Sequence, residues 1–210
     1  MKPNTEPFDK HYQKYEDWFD KNEYVYKSEL KAVNHFIPQQ GRGIEIGVGS
    51  GKFAEPLGIK MGVEPSESMR KLAKKRGIKV YDGVGENLNF ADKSFDYVLM
   101  VTTICFLSDI KKAFKEVRRI LKEDGKFIIG FVDRESELGK EYLKIKEDNV
   151  FYKNAVFYST KDVITLLKEM KFENINTIQT IFGKLSEVKE IQDYKNGYGK
   201  GGFVVIKAVK

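Results

Sequence analysis

Residues 44–53 read IEIGVGSGKF, a short apolar strand interrupted by Glu45 and followed by glycines at 47, 49 and 51. Glycine at every second position strips a turn of side chains and opens backbone angles that other residues avoid. Two phosphate-binding patterns begin in this way, and neither is present. A dinucleotide fingerprint needs its third glycine five positions after the first, whereas Gly51 follows Gly47 by four. A phosphate loop needs glycine five positions before a Gly-Lys pair and a hydroxyl residue after it; Ile46 and Phe53 stand there. What is left is a strand, a bare turn and a helix start, at the sheet edge where open α/β folds take ligands.

Outward from this turn, strands and helices alternate. GIEI, IKMGVE, IKVYDG, FDYVLMV and GKFIIGFV read as strands. The helices between them are one from about Lys52, with Pro56 tolerated near its first turn, then PSESMRKLAKKRG and DIKKAFKEVRRILKEDG. Ser66 is the expected N-cap of the second helix and Gly77 its stop. Alternation of this kind builds a parallel sheet. After the helix STKDVITLLKEMKF, the strands INTIQTIF and GFVVIKAVK follow with no helix between them, so they are expected to pair antiparallel at one edge. The expected fold is α/β: a Rossmann-like, seven-stranded mixed sheet, mostly parallel with one antiparallel edge strand. Helices cover both faces, and residues 8–37 supply an N-terminal helical lid.

One domain over 1–210 fits the length and the 41% hydrophobic content. Its expected parts are a helical cap at 1–40, a ligand-binding core at 41–132, an insertion or lid at 133–158, and a C-terminal helix with two strands at 159–210. The insertion is too long for an ordinary connection. A single cysteine, Cys105, forms no disulfide within the chain, and no apolar run approaches the roughly 20 residues of a membrane span. Both features point to the cytoplasm and away from membranes. The 37 basic and 31 acidic residues interleave, as in KEVRRILKEDGK, which marks solvated helix faces and disfavours a nucleic-acid track.

The acids around the turn narrow the ligand. Glu45 repels a pyrophosphate but suits an ammonium or sulfonium. Glu64 ends the second strand nineteen residues later, where an acid accepts the two ribose hydroxyls. A nucleoside with a ribose, a positive charge and no phosphate is S-adenosylmethionine. The segments IEIGVGSGKFAEPLG, GVEPSESM, ENLNFADKSFDYVLMVTTICFL and FKEVRRILKEDGKFIIG resemble, in order and spacing, the class I S-adenosylmethionine-dependent methyltransferases. The likeness is to the methyltransferase type 11 group, which includes ubiquinone/menaquinone-type enzymes, and covers roughly 41–132.

That resemblance implies roles. Glu45, Gly47, Gly49 and Gly51 would wrap the methionine part of the cofactor, and Glu64 would hold the ribose. Pro65, Ser66 and Met69 would lie beside the adenine, with Val84, Gly85 and Glu86 on its other side and Val101 and Thr102 at the end of the fourth strand. Val84–Gly85 stands where the family often has an acid before a small residue, so the adenine contact is either lost or supplied by backbone or by Glu86. Phe106 stands where the family often has histidine.

Methyl transfer is an in-line displacement on an activated sulfonium, so alignment alone supplies much of the acceleration. No metal site, Cys/His pair or nucleophile elbow is legible, and His11 and His35 read as surface or packing residues. Candidates for the acceptor pocket are Tyr12, Tyr15, Trp18, Thr103 and Phe106. Phe19, Phe151, Tyr152, Phe157 and Tyr158 add further aromatics to the lid segments, and Cys105 reads as buried and inert. A small-molecule acceptor is expected. Methylation of RNA or protein, and cofactor binding without catalysis, are the competing functions.

Overall fold

A computed structural model describes residues 4–210. Its frame is one eight-stranded sheet in the order β3-β2-β1-β4-β5-β8-β6-β7. The strands β1 (Gly43–Ile46), β2 (Met61–Val63), β3 (Lys79–Tyr81), β4 (Phe95–Val101) and β5 (Leu121–Val132) run parallel. From β1 the chain moves outward through β2 and β3, then returns to pair β4 on the other side. The order therefore reverses between β1 and β4, and the crevice at such a switch point is where ligands bind.

The end of the chain departs from the expected detail. Strands β6 (Glu173–Thr180) and β8 (Phe203–Val209) pair antiparallel, as the missing helix implied. However, β8 lies between β5 and β6, and the sheet gains an eighth strand, the two-residue β7 (Lys195–Asn196), at the edge beyond β6. The interior position of β8 explains its near-continuous apolar run: Phe203 to Ile206 are all 0% exposed, as a strand covered on both faces must be.

Alternation along β4 divides the core. Tyr97, Leu99 and Val101 face one layer, packed by α3 (Glu23–Phe36) through Val25, Ala32 and Val33. Val98 and Met100 face the other, where α5 (Ile110–Ile120) inserts Phe114 and Val117 and α7 (Thr160–Glu169) inserts Val163 and Leu167. Several helix starts are capped by side chains, the one at Ser66 as its sequence suggests. Ser66 caps α4 (Glu67–Lys75), Asp109 caps α5, and Ser159 with Asp162 forms a capping box on α7.

Two helical expectations change. Residues 52–58 form successive turns instead of a helix. Pro56 has no N–H to give the Lys52 carbonyl, and the Tyr26 hydroxyl donates to that oxygen instead. The helix expected to run through residue 125 ends at Ile120, where β5 begins at once, and the backbone reaches a positive φ of 60° at Asp124 within the first part of that strand. The N-terminal helices are α1 (Glu6–Lys10), α2 (Tyr12–Lys21) and α3. Residues 133–158 hold α6 (Glu137–Lys144), a short 3-10 turn and an aromatic run. Among the described residues no helix is long and apolar enough to cross a membrane.

Candidate functional site

A cavity of about 520 Å³ opens at the carboxyl ends of β1, β2 and β4, within the usual range for small-ligand sites. Its floor is the glycine turn. Gly47 and Gly49 line it at φ values of 70° and 54°, angles that carry little penalty for glycine alone. Each is also crowded. A Cβ on Gly47 would lie 2.4 Å from Cγ2 of Thr103, and one on Gly49 would lie 3.1 Å from the Tyr15 hydroxyl. Gly51 lies outside the lining; its missing Cβ makes room for Ile78 and for α4, so it serves packing.

Glu64 and Glu45 differ more than the sequence suggested. The Glu64 carboxylate lines the cavity and accepts the backbone N–H of Gly49 at 2.9 Å and of Ser66 at 2.8 Å. Burial pushes its pKa up to about 7 against those two hydrogen bonds. Glu45 faces the layer of Tyr97 and Leu99, is 2% exposed and does not line the cavity. Burial drives its carboxyl well above the usual range, and one of its oxygens has no partner among the described residues. A buried, unpaired carboxylate oxygen is costly unless something satisfies it. A cationic group of a ligand seated on the turn is the chemistry that fits, so these residues suit a nucleoside carrying an ammonium or sulfonium.

Pro65, Met69, Val84 and Gly85 form the next stretch of wall, with Leu107 and Asn87, which the sequence did not single out. Glu86 reaches the lining, but its carboxylate accepts the N–H groups of Ser108 and Asp109 at 2.6 and 3.1 Å, holding the start of α5. Ser66 lies below the wall; it caps α4 and donates to Asp9 of α1 at 2.6 Å. Asp109 and Lys112 complete the charged lining. Lys112 is its single cation against Glu64, Glu86 and Asp109, so among the described residues the cavity is net acidic.

At the end of β4, Val101, Thr102 and Thr103 all line the cavity and the two threonines diverge. Thr103 donates to the carbonyls of Val101 at 3.0 Å and Gly47 at 3.3 Å, which binds the turn to β4. Thr102 holds a φ of 49°, a strained angle for a β-branched residue, and its hydroxyl makes no hydrogen bond among the described residues.

The mouth is aromatic. Phe8 of α1, Tyr15 of α2 and Phe106 line it. Phe8 meets Phe106 edge-on at 5.2 Å and Phe151 at 5.3 Å, and Phe106 lies parallel to Tyr152 at 6.1 Å. Of the other candidates, Tyr12 is 41% exposed and Trp18 packs on Phe19; neither reaches the cavity. Phe157 and Tyr158 lie behind the wall, around Cys105, whose thiol burial pushes up to about 12. His35 bonds Tyr194 away from the site, and His11 joins α1 to α2. Among the described residues no cluster of His, Cys, Asp or Glu could hold a metal ion. Phe8 and Asp9 were missed because a five-residue helix has too few turns to show a face.

Four similarities bear on this site. Residues 44–129 match the family described as Methyltransferase domain. An uncharacterized protein of Methanocaldococcus jannaschii is 50% identical over 203 residues, covering 97% of this chain and 98% of that one. A crystal structure from Thermotoga maritima, of an S-adenosylmethionine-dependent methyltransferase named a possible histamine N-methyltransferase, is 52% identical. It superposes with a TM-score of 0.96 over 98% of this chain and 99% of that one. More distantly, the ubiquinone/menaquinone biosynthesis C-methyltransferase of Rickettsia felis is 37% identical over 111 residues, 48% of this chain and 40% of its own.

Proposed function

The chain belongs to the S-adenosylmethionine-dependent methyltransferases, and from that premise we propose that it methylates a small-molecule acceptor in the cytoplasm. The observation that carries this reading is the cavity of about 520 Å³, floored by bare glycine backbone and narrowed at its mouth by Phe8, Tyr15 and Phe106. A macromolecular acceptor needs an open approach to the reacting end, and here aromatic rings from two separate segments of the chain occupy that approach.

In this reading Glu64 accepts the ribose hydroxyls while Gly49 and Ser66 hold its carboxylate in place. Met69, Val84, Gly85 and Leu107 provide the apolar slot for the adenine. Gly47 and Gly49 let the backbone approach the amino-acid end, with the unpaired Glu45 oxygen behind them. When bound, S-adenosylmethionine supplies a methyl group already activated on a sulfonium. The chain then aligns the acceptor and excludes water: Phe8, Tyr15 and Phe106 shape the space, and the free Thr102 hydroxyl directs a polar group of the acceptor. The acidic lining and the aromatic faces favour an acceptor that is neutral or cationic, since rings attract cations and, among the described residues, Lys112 is the one positive group lining the cavity. A small amine, such as the histamine in the name of the T. maritima protein, is the first acceptor to try.

The test incubates the protein with methyl-labelled S-adenosylmethionine and, separately, a dialysed macromolecular fraction or a small-metabolite extract. Label transferred to the metabolite fraction is expected. Label recovered in RNA or protein instead overturns the small-molecule assignment.

A further inference from the structure

Tyr15 reaches further into the site than a lid residue needs to. Its hydroxyl is 3.1 Å from where a Cβ of Gly49 would stand, directly over the barest point of the turn. Its ring is gripped by Phe8 at 6.1 Å, Phe19 at 5.1 Å and Phe151 at 6.2 Å, so the hydroxyl is aimed by packing. Glu45 and Glu64 are close enough that, after burial, their charges are the main influences raising the phenol's pKa. The phenol therefore keeps its proton and acts as a hydrogen-bond donor. Among the described residues it finds no acceptor, although it lines the cavity. A fixed donor with nothing to donate to, above a turn whose backbone is bare, marks the place of a ligand acceptor atom.

We propose that the Tyr15 hydroxyl donates to the carboxylate of the cofactor's amino-acid end, so that α2 recognises the cofactor by that group. The inference rests on the methyltransferase reading and assigns Tyr15 to the cofactor instead of the methyl acceptor. The two acids explain the need for it. An amino-acid end carries an ammonium, which Glu45 and Glu64 favour, and a carboxylate, which they repel; a donor on the carboxylate offsets that repulsion. The same helix is fastened to the turn by Glu16, which pairs with Arg76 at 2.5 Å, while Arg76 donates to the Ser50 carbonyl at 2.7 Å. Binding of the amino-acid end is thereby coupled to closure of α2.

The experiment compares S-adenosylhomocysteine with 5′-methylthioadenosine, which has the same nucleoside and thioether but no amino acid, by calorimetry on wild type and Tyr15→Phe. The phenylalanine keeps the ring and its packing, so folding is preserved. Removal of a hydrogen bond to a charged group predicts a loss of roughly 10- to 100-fold for S-adenosylhomocysteine, with 5′-methylthioadenosine unchanged. Hydrogen exchange supplies the second readout: residues 12–21 become protected by S-adenosylhomocysteine and not by 5′-methylthioadenosine. An equal loss for both ligands, or no loss for either, overturns the assignment, as does equal protection by both. If wild type binds neither ligand, the methyltransferase reading itself fails, which is a separate outcome.

Discussion

The glycine turn after β1 and the helices that cover it meet where Tyr15 stands over Gly49, but they obey different constraints. In the turn, backbone geometry dictates residue type: φ values of 70° and 54° and neighbours within 3.1 Å of a hypothetical Cβ leave glycine as the fitting choice at 47 and 49. In α1 and α2, side chains do the work, and rings of several kinds pack edge-on at 5–6 Å. A site can therefore be rigid on one side and adaptable on the other. The turn meets a ligand with bare backbone, and the aromatic cover meets it with side chains.

The hardest break falls on the rigid side. Gly49→Val adds a branched side chain at a positive φ and drives it into the Tyr15 hydroxyl. Loss of detectable S-adenosylhomocysteine binding by calorimetry is expected, with circular dichroism showing the sheet retained. Normal binding by this variant places the cofactor elsewhere.

That asymmetry also explains what could be read in advance. Phe95–Val101 was legible to the residue because a buried strand leaves a nearly continuous apolar run, broken here only by Asp96. The glycines and Glu64 were legible because their spacing follows from a strand-turn-helix path. The interior place of β8 was not, although GFVVIKAVK shows the two-sided burial that an edge strand lacks. Pairing order is a long-range property, and no local pattern encodes it. Gly51 shares the motif's spacing but makes room for Ile78, and Glu45 stays beneath the turn with one oxygen unpaired among the described residues, a difference that spacing alone does not show. Asp9, which accepts from Ser66 and Ser68 across 57 and 59 residues of chain, had no sequence signal at all.

A smaller effect is expected at Glu64. Glu64→Ala removes a charged acceptor and costs about 1.5–3 kcal/mol of cofactor binding, while Glu64→Gln costs less. The wild-type carboxyl also carries a pH signature. Its folded pKa of about 7 lies above the unfolded value, so between roughly pH 4.5 and 7 the folded protein binds the extra proton. This group's contribution to the stability of the free protein thus declines as pH rises through that window. Ribose hydroxyls donate to the ionised form, so cofactor affinity climbs with pH through about 7 and levels off above it. A calorimetric titration series showing the same slope in Glu64→Gln removes Glu64 from the ribose site.

Smaller again is the fastening of the cover. Glu16 joins α2 to Arg76 at 2.5 Å and lies near Lys52 at 3.8 Å, with side chains only about a fifth exposed or less. Pairs at this intermediate depth fall between surface and fully buried ones. Glu16→Ala is expected to destabilise by about 1–2 kcal/mol in urea unfolding and to weaken cofactor binding only several-fold. A loss as large as that of Gly49→Val means α2 belongs to the rigid half.

The finest test asks where the adaptable region ends. The N-terminal helices are one aromatic block in sequence, but their burial is uneven. Helix α1 buries no residue and α2 buries only Phe19, whereas α3 buries Val25, Ser28, Glu29, Ala32 and Val33 against the sheet. Burial alone raises the Glu29 carboxyl to about 8, as expected of a group set deep in packed core. Segments with few buried contacts open at low free energy, and core helices open only with the whole domain. S-adenosylhomocysteine should therefore slow hydrogen exchange across residues 6–21 and leave 23–36 unchanged, because the latter is already slow. Trp18, packed on Phe19 within the same segment, should change its fluorescence in step. Equal protection of both segments would join α3 to the cover. No protection of either would make the whole N-terminal block core packing and leave residues 133–158 as the only moving wall.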